Sequence, residues 1–223
     1  MLVHAKTQSR KATQRRLAKN LLLDSLRSRD YKPIIVQAIE ATEPKPADPD
    51  CRLTFQALAE ALKSMTAVPA LAEVYRLVES TDMSREEVAP YLGFKAGNYS
   101  RHRVMKNEFV EMLVLCWKPG QRTPIHDHNG SHGAVFVHKG IMWETTFQYD
   151  TERGLQYASH RELREGGLTG SEVPDIHQLG NPDVSGRDLV TIHIYAPPLG
   201  VLKTYKLGSS TIDLYTPAEP DFV

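Results

Sequence analysis

Cysteine is nearly absent from this chain: its 223 residues include only two, Cys51 and Cys116. Two cysteines cannot build the disulfide framework of a small secreted scaffold, so a reducing, cytoplasmic setting is the expectation. Net charge is absent too. Its 27 Lys and Arg offset 27 Asp and Glu, which argues against nucleic acid as the main partner. No apolar run approaches the roughly 20 residues of a membrane helix, and no apolar signal-peptide core stands near the start. Neither a membrane nor an export leader is expected. Internal repeats and low-complexity tracts are missing as well. The hydrophobic fraction of 41% is that of an ordinary globular protein, which excludes global disorder. Against these absences stands one excess. There are nine histidines, a residue type that serves metal and proton chemistry.

The balanced charge is unevenly spread. Residues 1–30 hold eight Lys or Arg against Asp24 and Asp30. Leu17, Leu21, Leu22 and Leu26 there share a helical face, so residues 1–50 read as a basic helical segment followed by a linker. The linker is Ala41–Asp50, broken by Pro44, Pro46 and Pro49, since proline disfavours helix before itself. Residues 51–223 read as a single domain, with helices at about 54–92 and a β-barrel at about 98–215. Phe55, Leu58, Leu62 and Met65 recur at helical spacing, as do Leu71, Val74, Tyr75 and Val78. Ser84 with Glu87 forms a capping-box pattern for a third short helix. From Asn98 the segments turn short, β-branched and punctuated by Gly, Pro and Asn. Eight strands are expected, near 99–105, 108–117, 125–128, 134–138, 142–149, 155–163, 188–195 and 201–206. Many short strands between turns predict an antiparallel barrel or jelly roll with a helical section on one side.

The densest histidine cluster lies within Cys116–Gly140 (CWKPGQRTPIHDHNGSHGAVFVHKG). His126 and His128 are two apart, so on a strand they share a face and can converge on one metal ion. A pair of surface histidines has the same spacing. Gly120 stands six residues before His126, and Gly140 twelve after His128. That framing resembles the first motif of the cupin family, in which glycines bracket a His-x-His pair and a following glutamate. Gly133 stands where the glutamate would be. Farther on, His177 with Asn181 matches the end of the second cupin motif, while Pro174 and the stretch before it fit that motif poorly.

A cupin that loses the glutamate and keeps three histidines resembles the thiol dioxygenases, and among them the cysteine dioxygenases. Tyr99-Ser100-Arg101, Cys116-Trp117, Ile125–His128, Ser131-His132, Glu144-Thr145 and His193–Pro198 fall in the family order, from about Tyr75 to Lys206. The resemblance implies a mainly β cupin fold, a small jelly-roll barrel behind an N-terminal helical section. It implies His126, His128 and His177 as ligands of Fe(II), and O2-dependent oxidation of cysteine to cysteine sulfinic acid. Three neutral imidazoles add no negative charge, so an anionic thiolate meets no competing carboxylate. Arg101 is where the family places the guanidinium that pairs with the substrate carboxylate. The resemblance implies that Tyr99 stands beside it in the substrate pocket.

Thr191, His193 and Tyr195 alternate along one strand and so face one way. They match the family's relay of Ser, His and Tyr, with threonine in place of serine. Animal members join this tyrosine to a cysteine five residues past the second ligand, a position held here by Gly133. Tyr195 is therefore expected to be uncrosslinked. His132 is expected in a supporting place, Cys116 in the core, and Trp117 and Trp143 in the barrel core. The implied partners are a small thiol and O2, with no nucleic acid and no membrane, in a monomer or a small oligomer. The nearest alternative is a dioxygenase of 3-mercaptopropionate, a branch in which glutamine replaces the arginine at 101. A second is a metal-binding cupin without catalysis.

Overall fold

The computed structural model describes residues 52–171, 175–182, 184 and 186–220. The basic segment expected within 1–30 and the linker at 41–50 lie outside them, as does Cys51. The helical spacing becomes two helices, α1 (Phe55–Lys63) and α2 (Leu71–Glu79). Thr54 caps α1, its hydroxyl accepting from the Ala57 backbone N–H at 3.1 Å. Ser84 accepts from the Glu87 N–H at 3.3 Å and starts the single turn α3 (Arg85–Val88). Glu87 directs its carboxylate to the Phe55 N–H, at 2.9 Å, and so caps the first turn of α1 from a distant part of the chain. Two short strands, β1 (Leu53–Thr54) and β2 (Thr81–Asp82), pair in parallel beside the helices.

Eleven more strands form two sheets. One has the order β3-β4-β11-β6-β9, the other β13-β12-β5-β10-β7-β8, and every pairing within them is antiparallel. In chain order the strands are β3 (Ser100–Lys106), β4 (Glu111–Trp117), β5 (Ile125–Asp127), β6 (His132–Lys139), β7 (Ile141–Asp150) and β8 (Gly154–Arg164). Then come β9 (Leu168–Ser171), β10 (Ile176–Gly180), β11 (Leu189–Ala196), β12 (Leu202–Tyr205) and β13 (Ile212–Tyr215). From β4 to β7 each strand crosses to the other sheet, which is jelly-roll topology. This is the mainly β cupin architecture with an N-terminal helical section that the sequence implies.

Strands β4 and β11 are buried along their whole length. Their mainly apolar character, interrupted by Glu111, Thr191 and His193, follows from having cover on both faces. Met112, Val114 and Cys116, with Val190, Ile192 and Ile194, pack under Phe55, Leu58, Leu62, Val74 and Val78. The alternate residues Leu113, Leu115, Trp117, Leu189 and Tyr195 face the barrel interior, where they meet Met142, Leu163 and Leu179 of the opposite sheet. Full burial of each large aliphatic side chain contributes roughly 1.5–3 kcal/mol. The barrel is thus a two-sided core with one face left for polar chemistry.

Besides the two-residue strands β1 and β2, three strands of the barrel escape the sequence reading: β9, β10 and β13. Each is four or five residues long, too short to show alternation. Trp143 corrects a second expectation. It sits half-buried on the outer face of β7 beside the His160 ring, at 5.2 Å. The inward positions of β7 belong to Met142 and Glu144, both buried. The strand period overrides hydropathy here, because a carboxylate is wanted inside.

Candidate metal centre

Strand pairing brings distant histidines together. His126 on β5 stands directly opposite His177 on β10 in an antiparallel register. The turn after β5 is fixed by Asp127, which accepts from the Tyr205 hydroxyl at 2.7 Å and from the Asn129 N–H at 2.9 Å. Asn129 and Gly130 both take positive φ, 46° and 109°. Such backbone suits Asn and Gly, and it lets the chain reverse just after His128.

The result is a cluster in which one nitrogen from each of His126, His128 and His177 lies within 4.8 Å of the others. All three side chains are buried. His126 Nδ1 lies 3.0 Å from the Pro124 carbonyl oxygen and donates to it. His177 Nδ1 donates to Glu144 Oε1 at 3.1 Å. Those bonds fix the tautomer, so each Nε2 keeps its lone pair for the centre of the cluster. Neither nitrogen of His128, nor Nε2 of His177, has a hydrogen-bond partner among the described residues. Buried unpartnered nitrogens are rare in native proteins. A cation between them supplies the missing partner, so the residues fit a metal ion, and imidazole suits Fe, Cu, Ni and Zn alike. Among the described residues, no carboxylate belongs to the cluster.

Acidic groups surround the imidazoles at one remove. Glu144 also accepts from Arg161 Nε at 2.6 Å and from the Thr169 hydroxyl at 3.2 Å. Asp175 Oδ2 lies 3.8 Å from His128 Nδ1 and 3.7 Å from His177 Nδ1. Burial pushes the Glu144 carboxyl up, but the His177 hydrogen bond and the Arg161 guanidinium outweigh it and hold it at about 2. Burial and the neighbouring His177 lower His128 to about 4. His177 moves the other way: burial lowers it, but Asp175 and Glu144 together raise it above its usual value.

A second constellation faces the cluster from the opposite sheet. Thr191, His193 and Tyr195 project inward from β11. Thr191 Oγ1 lies 2.8 Å from His193 Nε2, and His193 Nδ1 lies 2.8 Å from the Tyr195 oxygen. The Tyr195 ring is 5.3 Å from that of His128. Burial lowers His193 well below its usual value and raises Tyr195, with Arg101 opposing the rise. A cavity opens here, lined by Tyr99, Arg101, Leu115, His126, His193 and Tyr195 among others. Tyr99 stacks on Trp117 with ring centroids 4.2 Å apart, and burial raises its phenol to about 12. The structure therefore brings together all eight residues singled out from the sequence. Arg101 has one contact the sequence does not suggest. Its Nη1 donates to the Ala218 carbonyl at 2.6 Å, while Tyr215 and Pro217 form part of the cavity wall.

The sequence profile described as Cysteine dioxygenase type I matches residues 47–207, more than half of the chain. The chain belongs to the cysteine dioxygenase type I family. Among curated relatives, "Cysteine dioxygenase type 1" of Rattus norvegicus is 28% identical over 130 residues, 56% of this chain and 64% of that protein. The protein of the same name from Danio rerio is 25% identical over 138 residues, 60% of this chain and 68% of the relative. The match thus spans just under two thirds of the length of the mammalian protein. Solved structures with a similar course include TT1209 from Thermus thermophilus, with a TM-score of 0.43, 16% identity, and coverage of 52% of this chain and 98% of that one. A cupin protein with a double-stranded β-helix fold from Methanocaldococcus jannaschii gives 0.38 at 17% identity, over 48% and 86%.

Within the cysteine dioxygenase family frame, Gly133 gains a structural meaning. It pairs with Tyr195 across β6 and β11. A Cβ placed on it would lie 3.0 Å from Tyr195 Cδ1, so position 133 abuts the Tyr195 ring. Sequence reasoning missed Glu144, Arg161, Thr169 and Asp175 as supports of the cluster. Glu144 offered one signal, a lone acid at an inward position of a strand. His132, expected in support, carries a buried Nε2 without a partner among the described residues. Cys116 is a buried core thiol, as expected.

Proposed function

We propose that this chain is a non-heme Fe(II) thiol dioxygenase that oxidises L-cysteine with O2 to cysteine sulfinic acid. One observation carries the reading: a buried, carboxylate-free cluster of three imidazoles beside a cavity that also presents a guanidinium and a phenol. His126, His128 and His177 would hold the iron through the nitrogens that converge. Fe(II) bound there would supply open coordination positions and the redox chemistry by which sulfur takes both atoms of O2. Sulfur loses the electrons that O2 gains, so no external reductant enters.

The chain's own residues supply binding and orientation. Arg101 pairs its planar guanidinium with the substrate carboxylate in a bidentate match. To do so it shares or releases the Ala218 carbonyl. Tyr195 stays protonated, because burial penalises the phenolate, and it presents a donor to an anionic group in the cavity. His193 and Thr191 hold that hydroxyl in place. Leu115 and Leu179 in the wall exclude water and strengthen each polar contact.

The substrate is tested by O2 consumption of the Fe(II)-loaded chain with cysteine and with 3-mercaptopropionate. A larger kcat/KM for cysteine is expected, since position 101 holds arginine and not the glutamine of the 3-mercaptopropionate branch. A larger value for 3-mercaptopropionate transfers the assignment to that thiol. Failure to form sulfinate from any small thiol reduces the protein to a metal-binding cupin.

A further inference from the structure

Trp117 is fully buried, as a core residue should be. Yet its indole N–H is aimed at the polar chain: Nε1 donates to Thr191 Oγ1 at 2.9 Å. Thr191 is 0% exposed. Among the described residues, the polar partners of its hydroxyl are Trp117 Nε1 and His193 Nε2. Counting hydrogens then sets the direction of every bond. Indole offers a donor and no acceptor, so the Thr191 oxygen accepts from Trp117. The single hydroxyl hydrogen has one acceptor in reach, His193 Nε2. A hydrogen on Nε2 would instead face the Thr191 oxygen and leave the hydroxyl hydrogen buried without an acceptor, which native structures avoid. His193 therefore carries its hydrogen on Nδ1 and donates to the Tyr195 oxygen, 2.8 Å away. The hydrogen of Tyr195 is then turned away from His193 and toward the cavity.

We propose that Trp117 is a positioning residue whose indole N–H polarises the Thr191–His193–Tyr195 chain, so that the Tyr195 hydroxyl donates to an anionic ligand in the cavity. The thiol dioxygenase reading enters only in naming that ligand; the tautomer of His193 stands or falls without it. Tyr99, stacked on the Trp117 ring, couples the same indole to the substrate wall.

The test uses the full chain, labelled with 15N and free of added metal. Long-range 1H–15N spectra of the imidazoles report the tautomer directly. His193 is expected with its hydrogen on Nδ1. Trp117→Phe keeps an aromatic ring in the core, deletes the donor and vacates the space of the pyrrole ring beside Thr191. A water in the vacated space can then accept from the Thr191 hydroxyl, whose oxygen accepts in turn from His193, so the His193 pattern is expected to shift toward the Nε2–H form. Thr191→Val should shift it likewise, while Thr191→Ser should restore the wild-type pattern. In the iron-loaded chain, Trp117→Phe should lower kcat for cysteine by about ten- to a hundredfold, the range for one hydrogen bond to a charged group. Iron content should not change. The double variant Trp117→Phe/Thr191→Val should be no slower than Thr191→Val alone. An Nε2–H tautomer in the wild type, or an unshifted pattern in Trp117→Phe, overturns the assignment. Absence of thiol oxidation in the wild type would sink the functional reading alone, since the spectra still decide the role of Trp117.

Discussion

Replacing Glu144 by glutamine removes one charge and keeps the side-chain shape. The carboxylate accepts from three donors: His177 Nδ1 at 3.1 Å, Arg161 Nε at 2.6 Å and Thr169 Oγ1 at 3.2 Å. A carboxamide has one accepting oxygen and one donating NH2. With the oxygen toward His177, the NH2 confronts the Arg161 N–H. With the oxygen toward Arg161, the NH2 confronts His177 Nδ1. That clash is relieved only if His177 moves its hydrogen to Nε2, which blocks the lone pair aimed at His126 and His128. Either orientation leaves a buried donor unmatched, worth about 1–3 kcal/mol. Loss of a carboxylate behind a ligating imidazole typically lowers metal affinity 10- to 100-fold, or about 1.4–2.7 kcal/mol. The assay is anaerobic competition for Fe(II), or for Co(II) as a visible surrogate, between the chain and a chelator. Arg161 is partly exposed, so its loss of partner adds little to global stability. A Glu144→Gln chain that binds metal within twofold of wild type refutes the reasoning.

Four further outcomes are expected. His177→Ala should abolish most metal binding by elemental analysis, and full retention would remove His177 from the ligand set. Gly133→Ala places a Cβ 3.0 Å from Tyr195 Cδ1, closer than the 3.5–4.0 Å of good carbon contacts. The tyrosine must shift by roughly half an ångström, so kcat should fall severalfold at unchanged metal content; unchanged kcat would mean Tyr195 has no role in turnover. Arg101→Ala should raise the KM for cysteine with iron content intact, and an unchanged KM would exclude Arg101 from carboxylate binding. Leu58→Ala empties a fully buried site between α1 and the sheet. A loss of about 2–5 kcal/mol is expected, read as a melting temperature lower by roughly 5–15 °C; a shift below about 2 °C would show that the helical layer is only loosely packed.

The sequence by itself determined a good deal. Alternation and turn chemistry mark most of the barrel strands, because a half-buried strand must repeat every second residue. Leu58, Leu62, Val74 and Val78 mark the helical layer by the same logic at the helical period. His126 and His128 are legible as a pair because two residues apart on a strand is a local relation. The order Thr191, His193, Tyr195 is legible for the same reason. Tertiary structure decided whatever depends on strand order. His177 reaches His126 only because β10 pairs with β5, and β10 itself is too short to announce its period. Glu144, Arg161 and Thr169 gather from three strands that no local pattern relates. The Thr191 hydroxyl meets Trp117 because β11 lies beside β4, which turns a core aromatic into a hydrogen-bond donor. Local pattern fixes which way a side chain points; only the folded register fixes what it points at.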